Sequence, residues 1–235
     1  MKNIKILEKK ENENNREYAY RLLRYNIMSL QILPGAAINE GELAELLNVS
    51  RTPIREAVLM LKDESLIEVY PQSGSKVSLI DVDILKEGFF LRSTIEPEII
   101  AQLAGNIGHE YTARMKRNLQ KQEEILELNE QERVDMFFKT DDKFHHIIYE
   151  AANKDTIWQA MKRVSSHYDR VRYIDAIMNN RNLNEILREH HKIYYLLLIG
   201  FANDYDLKLF YDSHLGSYRQ KFQQILERFP EYFKM

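Results

Sequence analysis

The stretch from Glu42 to Val58, ELAELLNVSRTPIREAV, most restricts what this chain can become. It reads as two short helices around a tight turn. Leu43, Ala44, Leu46 and Leu47 give the first helix an apolar face at helical spacing. Asn48-Val49-Ser50 makes the break, because Asn and Ser side chains compete for backbone hydrogen bonds within helices and favour turns and caps. The second helix is expected to start near Thr52-Pro53, with Thr52 as N-cap and Pro53 in the first turn, where a missing N–H is no loss. Ile54, Ala57, Val58 and Leu61 then share its buried side, while Arg51 and Arg55, one turn apart, share the other. Two layouts satisfy this pattern. One is a helical hairpin with two solvated arginines. The other is a helix-turn-helix whose second helix offers a basic N-terminal end to the DNA major groove, where an Arg can contact phosphate or fork onto guanine.

The flanks favour the second layout. Leu66, Ile67, Val69 and Tyr70 predict a strand, Pro71-Gln72-Ser73-Gly74 a turn, and Lys76 to Ile80 a second strand. A hairpin directly after a recognition helix is a wing. The run ILPGAAINEGELAELLNVSRTPIREAVLMLKDESL (Ile32 to Leu66), with the hairpin behind it, resembles the winged-helix domain of the GntR family of bacterial transcription factors. The resemblance implies DNA contacts from Arg51 and Arg55 and a wing glycine at Gly74; Thr52 and Lys76 complete the candidate DNA-binding set. Two positions depart from the family pattern. Gly41 stands where many relatives carry Arg before the turn, and Ser73 where many carry Arg beside the wing glycine. With fewer basic contacts, the operator sequence of relatives does not transfer.

Composition bounds the rest. A chain of 235 residues with 44% hydrophobic content can form one large or two ordinary packed domains. Its net charge of −3 does not advertise a polyanion partner, and residues 1–80 balance 11 Lys/Arg against 11 Asp/Glu. DNA binding must therefore rest on a local basic patch, doubled by dimerisation, and be salt-sensitive. With no Cys there are no disulfides or thiolate metal sites, which suits the cytoplasm. The N-terminus lacks the apolar core of a signal peptide, and the longest apolar run, Tyr194 to Ala202, is far short of the ~20 residues that span a bilayer.

The expected fold is mainly α. A flexible N-terminus (1–14) precedes a winged helix-turn-helix domain (15–80), opened by an amphipathic helix over Glu17 to Gln31 that buries Ala19, Leu22, Leu23, Ile27 and Leu30. A linker (81–83) leads to an all-helical domain (84–235). That domain reads as six helices, 84–106, 109–129, 131–152, 155–178, 182–201 and 204–228, with a kink or break at Pro97. Short connections favour an antiparallel bundle.

Three of those helices carry histidine on apolar faces. Asp141 and His145 lie one turn apart on the side of Phe137, Phe144, Ile148 and Ala152, whereas Asp142, His146 and Glu150 lie toward solvent. His190 shares a face with Leu183, Ile186, Ile193 and Leu197, with His191 the weaker candidate, and His214 is flanked by Leu207, Tyr211, Tyr218 and Ile225. Each His alone could be a hydrogen-bonded core residue. Together, one carboxylate and three imidazoles could meet inside the bundle and suit a divalent transition metal, zinc, nickel or manganese, rather than calcium or magnesium.

The segments DDKFH (141–145), EHHKI (189–193) and SHL (213–215) resemble the signatures of the FCD ligand-binding domain, the C-terminal half of a large GntR subfamily. The resemblance implies metal ligands at Asp141, His145, His190 and His214, and a small carboxylate effector such as a hydroxy acid or sugar acid. Arg92, in LRSTIE, either clamps that carboxylate or pairs internally with Glu96. Arg172 is a further effector candidate, although a surface position is the plainer reading for it and for Arg170. The expectation is a homodimeric regulator on a palindromic operator, with no catalytic residues and no membrane partner. A metal-dependent hydrolase using the Asp/His set is the rival, and a purely structural metal a third reading.

Overall fold

A computed structural model describes residues 4–178, 183–200 and 204–234. The first helix, α1 (Asn15–Met28), starts at a capping box: the Glu17 N–H donates to Asn14 Oδ1, and the Asn14 N–H donates to the Glu17 carboxylate. Its Ala19, Leu22, Leu23 and Ile27 are fully buried, whereas Leu30 lies beyond its end, half-buried at φ +57°. The preceding segment, expected to be loose, is laid along α1. Buried Asn26 draws it in, accepting from the Lys5 N–H at 2.7 Å and donating to the Lys5 carbonyl at 3.0 Å. Arg21 then clasps Glu13 at 2.6 and 2.7 Å.

Strand β1 (Ala37–Ile38) leads into α2 (Glu40–Leu47), capped by Asn39 and ended by Asn48 in the left-handed conformation. Leu43 and Ala44 are buried as expected, but Leu46 is exposed. Helix α3 (Arg51–Asp63) begins two residues before the expected start, with Ser50 rather than Thr52 at the N-cap. Its buried side is the expected Ile54, Ala57, Val58 and Leu61. The wing is β2 (Ile67–Tyr70) antiparallel to β3 (Gly74–Val77), with Tyr70 opposite Gly74. The sequence reading missed β1, which pairs along the other edge of β3 and completes a three-stranded sheet.

The expected linker at 81–83 is structured. Ile80–Asp81 forms β4, parallel to β5 (Phe233–Lys234), and Asp81 also caps α4 (Val82–Leu103). Burial of Ile80 and Phe233 fastens the C-terminal residues to the domain junction. Helix α4 runs through Pro97 without a break, anchored by buried Glu96, Ile99 and Ile100. The bundle continues with α5 (His109–Leu126), α6 (Glu130–Ala151), α7 (Asp155–Val164), α8 (Ser166–Met178), α9 (Leu183–Ile199), α10 (Asp204–Gly216) and α11 (Phe222–Arg228).

Two of the six expected helices are each divided. The 155–178 segment breaks at Ser165, where α4 comes so close that a Cβ on Gly88 would stand 3.0 Å from the Ser165 Cα. The 204–228 segment breaks after Gly216 into a short 3-10 turn and α11. Residues 166–176 of α8 are buried throughout, so this helix is the central strut of the domain.

Candidate DNA interface and metal centre

The candidate DNA-binding residues are exposed. Arg51, Thr52 and Arg55 are exposed on the first turns of α3, opposite its apolar stripe. The positive end of the α3 dipole adds to the Arg51 charge there, an arrangement suited to phosphate. Gly41 makes room for Arg51: a Cβ at that position would lie 3.2 Å from the Arg51 guanidinium. At the wing, Gly74 adopts φ +88° with open space around it, and exposed Lys76 lies 6.0 Å from the centre of the Tyr70 ring.

In the helical domain the structure gathers His145 of α6, His190 of α9 and His214 of α10. All three are buried, and one ligand nitrogen from each lies within 4.8 Å of the others. The neighbouring histidines point away: His146 pairs with Asp155 and stacks on Trp158, and His191 lies 3.2 Å from Glu123.

Each inward ring has a fixed rear contact. His190 Nδ1 donates to Gln122 Oε1 at 2.7 Å, and His214 Nδ1 to Glu189 Oε2 at 2.7 Å. His145 Nδ1 stands 2.9 Å from Glu96 Oε2, close but out of line for a hydrogen bond. Gln122 is itself held, donating to Asn118 Oδ1 at 2.7 Å, while Asn118 donates to the Thr140 carbonyl at 3.0 Å. In His190 and His214 the acceptor behind Nδ1 leaves the Nε2 lone pair at the front, the form in which imidazole binds a metal. His145 and His214 bring those Nε2 atoms to 3.5 Å, and buried His190 Nε2 has no hydrogen-bond partner. Burial favours neutral rings: it pushes His190 down to about 3, against the opposing pull of Asp141, and pushes His214 below the usual range. The donor set therefore fits a divalent transition metal.

Asp141 stands beside this group, 3.4 Å from His190 Nε2, and outside the tight set of three. Arg172 grips its two oxygens at 3.1 and 3.3 Å and reaches Asp169 at 3.5 Å. Burial would raise the Asp141 carboxyl, but the Arg172 charge and the contact from His190 outweigh it and hold it well below the usual range. Arg92 forms the internal pair with Glu96, Nε to Oε1 at 2.7 Å, leaving its buried Nη2 without a partner.

The surface reading of Arg170 and Arg172 is corrected, since both are buried in α8. A helix buried on every side must satisfy its charges internally. Arg172 does so with Asp141 and Asp169, and Arg170 with the Ser78 carbonyl at 2.8 Å. The start of α8 also holds the end of the recognition helix: Ser166 Oγ donates to the Glu64 carbonyl at 2.9 Å, and His167 Nε2 to the Ser65 carbonyl at 3.0 Å. Sequence reasoning missed Gln122, Glu189, Ser166 and His167. A Gln on the Met115–Leu119 stripe of α5 was the one available signal for the first.

Known proteins align with both halves. Residues 15–77 match the model for bacterial regulatory proteins of the gntR family, and residues 87–200 match the FCD domain. The chain is 34% identical over 155 residues to the HTH-type transcriptional repressor RspR of Escherichia coli, spanning 66% of this chain and 67% of that protein. It is 30% identical over 181 residues to an HTH-type transcriptional regulator of Streptomyces ambofaciens, spanning 77% and 74%. Among solved structures, a GntR regulator from a Rhodococcus species has a TM-score of 0.72 at 20% identity, covering 88% of this chain and 97% of that one. Escherichia coli McbR has a TM-score of 0.70 at 20% identity, covering 92% and 98%. With its winged helix, its helical domain and these relatives, the chain belongs to the GntR family of bacterial regulatory proteins, as a DNA-binding transcriptional regulator of the FCD type.

Proposed function

We propose that the helical domain senses a small organic acid through a divalent metal, zinc first with nickel or manganese as alternatives, and controls operator binding by a homodimer in the cytoplasm. The observation that carries this reading is the set of inward Nε2 atoms, each on a ring backed at Nδ1 by Glu96, Gln122 or Glu189. His145, His190 and His214 would hold the metal, with Asp141 turning one oxygen to it while keeping Arg172 on the other. A bound metal would supply a fixed positive charge for an effector carboxylate. The spare Nη2 of Arg92 is the side-chain donor best suited to orient that carboxylate. Arg172 is already engaged by two aspartates, which makes it a positioning residue rather than a direct effector contact.

Helix α8 supplies the route to DNA. It carries Arg172 at the Asp141 end and Ser166 and His167 against the last residues of the recognition helix. A shift in how Asp141 shares Arg172 would move the element that holds α3 and the wing. An effector changes DNA affinity only if it favours one arrangement of the two DNA-binding domains over the other. Similarity to the Escherichia coli repressor RspR favours repression as the output.

The test is a gel-shift titration on an operator selected from genomic fragments, with metal-loaded and metal-stripped protein and a panel of hydroxy and sugar acids. The expected result is an acid that changes affinity by about 5–150-fold with metal present and not without it. The same response from stripped protein would reject the metal as the sensor.

A further inference from the structure

A basic groove lies on the bundle between α5 and α6. Helices α5 and α6 enclose a groove of about 520 Å³, walled by Arg114, Arg117, Lys121 and Lys143 and floored by Asn118 and Thr140. Among the described residues no carboxylate lines it. In a chain of net charge −3, four cations around one concavity are a local departure. Two are only partly answered from outside: Arg114 reaches Glu150, and Lys121 pairs with Glu124 at 2.9 Å with both side chains largely exposed. Arg117 and Lys143 are exposed and form no ion pair among the described residues.

We propose that this groove binds a small multivalent oxyanion, such as a metabolite bearing two phosphates. The volume falls within the ~300–1,000 Å³ of small-molecule sites. Two guanidinium groups supply planar forks that match phosphate or carboxylate oxygens, and two ammonium groups supply point charges. The floor is fixed rather than solvated: Asn118 is buried, donates to the Thr140 carbonyl at 3.0 Å and accepts from Gln122 at 2.7 Å. Gln122 in turn supports His190, so the floor of the groove is the back of the histidine cluster. An anion seated there rests on the hydrogen-bond chain that orients His190. The site stands on its own residues and does not depend on metal occupancy.

Isothermal titration of the full-length protein with fructose bisphosphate at low ionic strength tests the proposal. Wild type should bind saturably with one equivalent per chain. The exposed double variant Arg117→Glu/Lys143→Glu should bind at least about tenfold more weakly, since reversing two charges costs on the order of the Coulomb energy of several surface pairs. Its melting temperature should match wild type; if it does not, the single variants Arg117→Gln and Lys143→Gln should each weaken binding without loss of stability. Absence of saturable binding, or equal affinity in these variants, would overturn the site. Stoichiometric displacement of the bisphosphate by duplex DNA lacking the operator would show a backbone contact instead and overturn the small-molecule reading.

Discussion

The Nε2 atoms of His145 and His214 face each other at 3.5 Å while both rings turn Nδ1 toward a carboxylate, Glu96 for His145 and Glu189 for His214. The hydrogen bond to Glu189 holds the His214 ring proton at the rear and leaves a lone pair on its Nε2 at the front. At that separation the two nitrogens are joined either by a proton on one of them or by a cation bound to both, and His190 adds a third Nε2 to the same space. The arrangement has the form of a ligand set with its supporting contacts in place.

Those contacts make Gln122 testable. Gln122→Leu removes the acceptor behind His190 without adding charge. Metal affinity, read by competition with a fluorescent chelator, should fall by about 10–100-fold, the usual cost of losing such a partner. Unchanged affinity would mean that His190 is oriented by packing alone, through Phe137 and Phe144, whose rings stack on it.

Arg172→Met should be destabilising in the metal-free protein. The substitution keeps an unbranched stem but takes the guanidinium away from buried Asp141, while buried Asp169 keeps its second partner, Lys162. Breaking a buried pair from one side costs about 3–5 kcal/mol. Urea denaturation at neutral pH should show a loss of that order, and adding Asp141→Asn should restore part of it. A loss below about 1 kcal/mol, the scale of an exposed pair, would show that Arg172 is not the counter-charge of the interior.

Acid should loosen the domain junction. Burial, aided by the Arg170 charge, pushes His167 down to about 3, and burial takes His190 to about 3 as well. In the unfolded chain these rings titrate near ~6.5, so below that pH the unfolded state binds protons that the folded state refuses. Their contribution is complete above pH ~6.5 and declines as pH falls toward about 3. At His167 the reason is geometric. Nδ1 accepts from the Asp81 N–H at 2.9 Å and from Arg170 at 3.1 Å, and a proton there would displace both. The urea midpoint of stripped protein should be lower at pH ~5 than at pH ~7.5, with a smaller difference in His167→Gln. A difference as large in the variant would assign the acid sensitivity elsewhere.

Arg55→Ala should weaken operator binding while leaving stability unchanged. The side chain is exposed on α3 and supports none of the buried contacts of that helix. Loss of a forked base contact costs about 1–3 kcal/mol per half-site. Gel-shift titration at fixed salt checks this, and wild-type affinity would remove Arg55 from the readout.

Much of this was legible because it is local. The apolar stripe of α3 and the turn at Asn48 are written within one or two helical turns, and so are the faces that separate His145 from His146 and His190 from His191. What escaped the sequence is set by partners far along the chain. Gln122 and Glu189 matter only because α5 and α9 bring them behind rings from other helices. Arg170 and Arg172 read as surface charges, yet α8 is enclosed on every side and their counter-groups lie on the β3–β4 segment, on α6 and within α8 itself. The third strand of the wing and the C-terminal strand are two residues each, too short for any periodicity to mark.

Native mass spectrometry of purified protein tests the central claim most directly, because it reads metal content chain by chain without reference to DNA or effector. Wild type and His191→Ala should each carry one transition-metal ion per chain, and His190→Ala should carry little or none. Metal retained at a full equivalent in His145→Ala, His190→Ala and His214→Ala alike would contradict the account and leave the three histidines as ordinary core residues.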